Sequence, residues 1–395
     1  MTKFTIPKNR LPQMFTFYIF LFASYAFVAP FLVLYYQNAG LPGAQVGLLA
    51  GITPLVMMVG APLWTGLADA SRRHRLVLNA ALLVGAAAMF AFPFFSSFAP
   101  LLLVAVLFFA FFAPVSSLAD SATMYMLGDK KEMYGRIRLG GTIGFGIAAS
   151  LAGVLVQKYG LSLAFWGGAL LMLGAFAAAQ KLVHNPQALR ASSRPGLRAL
   201  LANRRWLLFL MLAFAGGLSI AGTNTYLFPF LRELGADETT MGLAITIGTV
   251  SEIPVLFFGH HLVKRFKPFG LLMLAMVFTG LRLLALAASG TPNLILVVQL
   301  VHGLTFPAMW IAGVAYAYAN APPGLDATAQ GLFGAMVFGF GPAVGGFVIG
   351  PLLESIGGRA TYNILGMSVL AIVLAAALLG RYLPEEAALP AGLGE

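Results

Sequence analysis

The sequence predicts an all-α membrane protein whose twelve transmembrane helices form two parallel-repeat six-helix bundles. Composition comes first: of 395 residues, 59% are hydrophobic and only 9% charged, against roughly 25% charged in soluble domains. The second observation is a recurrence of apolar segments, each about 20 residues long and therefore long enough to cross a bilayer. The third is the placement of the basic residues relative to those segments.

The apolar segments fall near 12–37, 43–68, 76–97, 99–127, 136–157, 162–181, 206–231, 241–258, 268–289, 293–319, 328–353 and 361–381, separated by short Gly/Pro or charged connectors. The N-terminus, MTKFTIPKNRLPQMF, is short and basic and runs into the first segment without an A-x-A-like cleavage site. It is expected to be retained as the first helix. Numbering the connectors alternately from the inside places nineteen of the 24 basic residues inside and only Lys158, Arg232 and Arg359 outside, with Arg138 and Arg282 left within helices. Lysine and arginine near helix ends resist translocation, so both termini are expected in the cytoplasm. The formal charge of +11 thus follows membrane topology and does not call for nucleic acid.

The one long polar connector, KLVHNPQALRASSRPGLRALLANRRW, holds six basic residues and no acid. It divides the chain into an N-terminal bundle (1–183), a basic cytoplasmic linker (184–205) and a C-terminal bundle with a short tail (206–395). The halves echo each other: GTIGFGIAASLAG in the fifth segment and MVFGFGPAVGGFVIG in the eleventh share a GFG and a glycine-dense face. Small residues at such positions let helix backbones approach closely. Parallel repeats of six helices are the organisation of one large transporter class.

Five ionisable groups lie at membrane depth: Asp120, Arg138, Glu252, Arg282 and His302. Each costs a few kcal/mol there unless it faces a partner or a cavity. Asp120 and Arg138 are placed to pair, whereas Glu252, Arg282 and His302 come from segments 8, 9 and 10. Structural ion pairs tying helices together are the bland explanation of any single pair; five groups together point to a polar pathway. Burial favours the neutral form of a carboxylate and a neighbouring arginine favours its charged form, so a carboxylate alternating between the two loads and releases a proton. His302 is suited to sharing that proton. Two roles stay open for Arg282: counter-ion to Glu252, or ligand for an anionic or hydroxyl-rich solute through its planar fork of donors.

Tyr25, Asn224 and Tyr226 are further polar residues within segments, with Tyr25 and Asn224 the deeper cavity candidates. Pro254, two residues after Glu252, interrupts helix hydrogen bonding, either as a simple kink or to leave carbonyls facing a cavity. No cysteine is present and the five histidines form no HxxxH or HExxH pair. Neither a metal centre nor a nucleophile–base constellation is predicted, so the chain is expected not to be an enzyme and to need no cofactor.

The loop GLADASRRHRLVL, after segment 2, resembles the signature loop of the major facilitator superfamily, in which an aspartate capping the second helix is followed by a glycine and arginines. Asp69 and Arg73 match it as gating-loop residues, whereas Thr65 and Arg72 occupy positions where that loop usually has glycine. Within the superfamily, PLWTGLAD, YGRIRLGGTIGFG, SEIPVLFFGHHLVKRF, LVHGLTF and APPGLDATAQGL resemble the group of lactose permease, the nucleoside–proton symporters and the phenylpropionate transporters. The resemblance implies that Asp120, Arg138, Glu252, Arg282 and His302 occupy the group's coupling and solute-site positions. It also implies a departure: Thr305 stands where lactose permease carries its main proton-bearing glutamate, so a coupled proton would rest on Glu252 or Asp120.

The reading that follows is a secondary active transporter, moving an oligosaccharide, nucleoside or aromatic acid by alternating access as a proton symporter. It is expected in a prokaryotic inner membrane, as a monomer among lipids, with a small-molecule solute as its partner. Proton-antiport efflux is the alternative within transport, since GPAVGG (341–346) is similar to a drug-antiporter motif, although that motif belongs on the fifth helix. A non-transporting membrane sensor is the alternative from a different class.

Overall fold

The computed structural model describes residues 11–183, 200 and 202–381, apart from 129, 131, 132, 323 and 324. The basic residues Lys3, Lys8, Arg10, Lys131, Arg190, Arg194 and Arg198 and the C-terminal tail lie outside the described residues.

Among the described residues, nine helices pass as single membrane spans: α1 (Leu11–Asn38), α2 (Gly43–Ser71), α3 (His74–Phe94), α4 (Phe98–Leu127), α5 (Tyr134–Tyr159), α6 (Ser162–Ala179), α7 (Arg204–Thr225), α8 (Glu238–Phe266) and α9 (Pro268–Ala288). A bent span, α10, joins Pro292–Gln299 to His302–Ala319 at 47°. The last apolar stretch, Thr328–Gly380, holds 53 residues. At 1.5 Å per residue that is about 80 Å, far beyond a bilayer core of roughly 30 Å. It divides at Gly357, whose φ of 78° and ψ of 169° are non-helical, into α11 before this residue and α12 after it. Twelve crossings result, as the apolar segments predict.

Several spans are interrupted where the sequence shows one run. Pro114 ends the first half of α4, and the helix restarts at Val115. In α10, Pro307 lacks an N–H and its ring crowds the carbonyl four residues back; a short 3-10 turn over His302–Leu304 takes up the break. Five-residue π turns interrupt α7 at Ala221–Thr225 and α11 at Met336–Phe340. α8 runs well past its expected end at 258, with Lys264 and Arg265 in its last turn, where cations favour the helix C-terminus. It also continues through Pro254.

The described residues form two compact units. One comprises Met1–Leu41, Ile52–Ala191 and Asp237–Thr246, the other Pro42–Gly51, Ser192–Ala236 and Ile247–Glu395. Most of each unit comes from one side of the basic connector, but the start of α2 belongs to the second unit and the start of α8 to the first. Within the second unit the Gly43 N–H donates to Glu354 Oε2 at 2.8 Å. Within the first, Thr246 Oγ1 donates to the Gly146 carbonyl at 2.7 Å.

The repeated glycine motif is repeated structure. In the first unit α1 packs on α5 and α6, and in the second α7 packs on α11. A methyl at Gly144 of α5 would stand 2.5 Å from the Ile19 carbonyl of α1, and one at Gly341 of α11 would stand 2.6 Å from the Gly217 Cα and 2.7 Å from the Phe214 carbonyl of α7. Lipid tails are as apolar as leucine, so helix association in a membrane rests on such close packing rather than on a hydrophobic drive.

Between α2 and α3 the chain turns through Arg72, whose φ of 56° is left-handed. Here the departure from the superfamily loop has a structural cost, because a non-glycine residue in that region is strained by about 1–2 kcal/mol.

Gly144→Leu is expected to destabilise the protein by about 1–3 kcal/mol, the usual cost of overpacking, read as a lower denaturation midpoint in detergent. Gly135→Ala on the same helix, whose added methyl meets nothing within 4 Å, should not destabilise. Arg72→Gly should raise stability by about 0.5–1 kcal/mol, the relief of the left-handed strain less the entropy of glycine.

Candidate functional site

The first unit holds a cluster built from α1, α4 and α5. Tyr18 Oη donates to Asp120 Oδ1 at 2.5 Å and lies 3.3 Å from Thr123 Oγ1. Arg138 Nε stands 3.9 Å from Asp120 Oδ1, and both side chains are about one-third exposed (32%). The guanidinium also lies over two rings of α1, 5.2 Å from the centroid of Tyr18 and 4.1 Å from that of Phe22, an arrangement that attracts cations to the ring faces. One α1 face therefore supplies both a hydroxyl for the carboxylate and aromatic surface for the guanidinium.

The second unit brings together Glu252, Arg282 and His302. The break in α10 is what positions the histidine. Gly303 passes so close to α8 that a Cβ there would collide with the Ser251 carbonyl, and its N–H donates to Ser251 Oγ at 3.0 Å. The preceding residue, His302, consequently reaches the residue after Ser251: Nε2 lies 2.9 Å from Glu252 Oε1, with side-chain exposures of 11% and 19%. With Glu252 ionised, Nε2 carries the proton and donates, leaving Nδ1 as an acceptor. Arg282 is 4% exposed and donates from Nη2 to Gln299 Oε1, one turn before His302 on α10. Among the described residues, Arg282 Nε and His302 Nδ1 are buried without a hydrogen-bond partner.

The two residues that carry these atoms line a cleft of the second unit. Its α7 wall is the π turn and the helix before it, with Gly216, Ser219, Ile220, Thr223 and Asn224. Across from it stand Thr279 and Arg282 of α9 and His302, Thr305, Phe306 and Met309 of α10. Opening the helix at Ala221–Thr225 exposes Asn224 while the Tyr362 hydroxyl satisfies the Gly222 carbonyl at 2.5 Å.

Of the residues singled out by the sequence, Arg282, His302 and Asn224 line this cleft, and Glu252 adjoins it through His302. The two roles left open for Arg282 are narrowed: its hydrogen-bonded partner is Gln299, and Glu252 pairs with His302 instead. Asp120 and Arg138 form the first-unit cluster. Tyr25 stacks on Phe112, ring centroids 5.2 Å apart. Tyr226 is fully buried and donates to the Gly346 carbonyl at 3.0 Å, so it ties α7 to α11 and does not line the cleft. Asp69 Oδ1 pairs with His74 Nε2 at 2.7 Å, whereas Arg73 is exposed at the start of α3.

Sequence reading missed Tyr18, Gln299 and His74. Tyr18 lies seven residues before Tyr25, on the same face of α1, and Gln299 interrupts the apolar run NLILVVQLVHGLTF three residues before the histidine. Both positions were visible signals. His74 follows the arginines of the loop directly, but spacing alone does not show which of the three side chains turns back to Asp69.

The sequence matches the MFS_1 like family over residues 11–364. The maltose permease of Geobacillus stearothermophilus is 30% identical over 367 residues, covering 92% of this chain and 93% of that protein. A probable 3-phenylpropionic acid transporter of Escherichia coli (strain K12) is 26% identical over 310 residues, with 76% and 80% covered. The crystal structure of nucleoside transporter NupG superposes with a TM-score of 0.86 over 95% of this chain and 100% of that one, at 20% identity, a likeness of fold. The chain belongs to the MFS_1 like family and is a multi-pass membrane transporter of the major facilitator type, not an enzyme.

Proposed function

We propose that this transporter imports a small organic solute, an oligosaccharide, nucleoside or aromatic acid, by symport with protons. The observation that carries the proposal is the Glu252–His302 hydrogen bond at 2.9 Å, beside a cleft lined by His302 and by the buried Arg282, whose Nε has no hydrogen-bond partner. A carboxylate hydrogen-bonded to an imidazole can take up a proton by a change of donor and acceptor along that bond, without losing its partner. Thr305 has no proton to offer at neutral pH, and its hydroxyl donates to the His302 carbonyl at 2.7 Å.

In this scheme two six-helix bundles, 1–183 and 206–395 joined by the cytoplasmic linker 184–205, alternate access to the solute site. Proton loading of Glu252 accompanies solute entry into the cleft, and release of both follows on the cytoplasmic side. Asp120, Arg138, Tyr25 and Asn224 contribute to solute recognition, and Asp69 and Arg73 act in the gating loop. The protein works as a monomer in the inner membrane of a prokaryote, with both termini cytoplasmic and with no cofactor beyond the coupling proton.

Proton flux into proteoliposomes, measured with a panel of sugars, nucleosides and aromatic acids, tests this reading. Solute-dependent proton entry is expected for wild type and should fall at least tenfold in Glu252→Gln, while solute counterflow without a proton gradient persists. Unchanged coupling in that variant would move the proton to Asp120, and no proton entry with any solute would sink symport. Arg282→Lys, which replaces a planar fork by a point charge, is expected to raise the KM for uptake about tenfold or more.

A further inference from the structure

The sequence places Asp120 and Arg138 to pair, yet the structure does not join them. Arg138 Nε stands 3.9 Å from Asp120 Oδ1, beyond hydrogen-bond reach, whereas an arginine and a carboxylate that meet freely close to about 2.7–2.9 Å. Both sides of the gap lead to one residue of α1. Tyr18 is fully buried; its hydroxyl donates to Asp120 Oδ1 at 2.5 Å, and its ring lies 5.2 Å from the Arg138 guanidinium. Thr123, one turn after Asp120 on α4, stands 3.3 Å from the same hydroxyl.

The arginine has further support. Its guanidinium lies 4.1 Å from the centroid of Phe22, one turn after Tyr18 on α1, and a ring face attracts a cation. Gly141, one turn after Arg138 on α5, leaves the room: a Cβ there would stand 2.7 Å from Arg138 Nη1 and 2.9 Å from the Phe22 ring. Tyr134, one turn before Arg138, brings a second hydroxyl beside both charged groups. Ring faces and a glycine, not the carboxylate, hold the guanidinium.

The separation has a chemical consequence. A bidentate Asp–Arg pair turns both carboxylate oxygens and two of the five guanidinium N–H groups toward each other, and a solute would have to break it. With Tyr18 on the carboxylate, most acceptor sites of Asp120 and the donor fork of Arg138 stay open, on side chains that are each 32% exposed. Groups fixed in advance in this way cost less to order when a ligand arrives.

On the importer reading above, and whichever group carries the proton, we infer that Tyr18 is a positioning residue for solute recognition. Its hydroxyl and its ring keep Asp120 and Arg138 apart, so that a solute meets an acceptor and a donor side by side in place of a closed ion pair.

One test needs no solute. In a double-mutant cycle of Asp120→Asn and Arg138→Gln on the full-length protein in detergent, the shifts in denaturation midpoint are expected to add to within about 1 °C while Tyr18 is present. Tyr18→Phe removes one oxygen and keeps the ring; the carboxylate then closes on the guanidinium, and the same cycle should show a coupling of about 3 °C or more. Coupling of that size with Tyr18 present, or none in Tyr18→Phe, would overturn the inference. If Tyr18→Phe does not fold, the cycle with Tyr18 present decides alone.

Solute counterflow in proteoliposomes, with maltose, xanthosine and 3-phenylpropionate as probes, gives the functional readout. Tyr18→Phe is expected to raise the KM of the transported probe about tenfold, the scale of one hydrogen bond to a charged group, with the maximal rate within about twofold of wild type. In an Asp120→Asn background, where no ion pair can form, it should add less than about twofold. An unchanged KM, or an equal rise in both backgrounds, would overturn the inference and leave symport untouched. The expected KM pattern without proton entry for any probe would remove symport and leave Tyr18 its role, and exchange of none of the probes would overturn both.

Discussion

Hydrocarbon supplies no hydrogen bonds, and the rest of this structure depends on that constraint. A polar group at membrane depth must find its partner within the protein or in a cavity. The helix interruptions show how the chain complies. The π turn of α7 frees the Gly222 carbonyl, which receives the Tyr362 hydroxyl. The break in α10 is closed by Thr305 on the His302 carbonyl and by the Gly303 N–H on Ser251. Irregular backbone stands where a cleft opens, and side chains of neighbouring helices hold it. Arg282 Nε and His302 Nδ1 are left without such partners, and both residues line the cleft.

The same constraint decides which features are legible in the amino-acid sequence. Spans are legible because about 20 apolar residues in a row have few other uses, and the buried charges stand out because each is costly. The GFG repeat also carries structural information, since Gly144 and Gly341 permit backbone contacts that a methyl would block. Interruptions are less legible. Pro114 and Pro307 leave a mark in the sequence, but the π turns at Ala221–Thr225 and Met336–Phe340 have no periodicity that separates them from plain helix. Nor does sequence specify where a long side chain ends. Arg282 and Glu252 both stand out, yet which of several polar neighbours each one reaches depends on the bend at His302 and on the contact of Gly303 with α8.

The outcome of that bend matters chemically. Had Arg282 paired with Glu252, protonating the carboxylate would have meant separating a guanidinium from its counter-ion in a medium where that is expensive. Gln299 instead holds the arginine through a neutral amide, and the carboxylate faces an imidazole. A proton arriving at this second pair can be accommodated by a change of donor and acceptor along one hydrogen bond, with both groups staying in place. The arginine keeps its orientation throughout, because the amide holding it does not titrate. The geometry thus separates the group that would carry the proton from the group that would hold the solute, with Arg282 on the wall of the cleft and Glu252 joined to that wall through His302. Coupling between them then needs no long relay: a solute in a cleft lined by both Arg282 and His302 would bear directly on the imidazole, and through its hydrogen bond on the charge of Glu252.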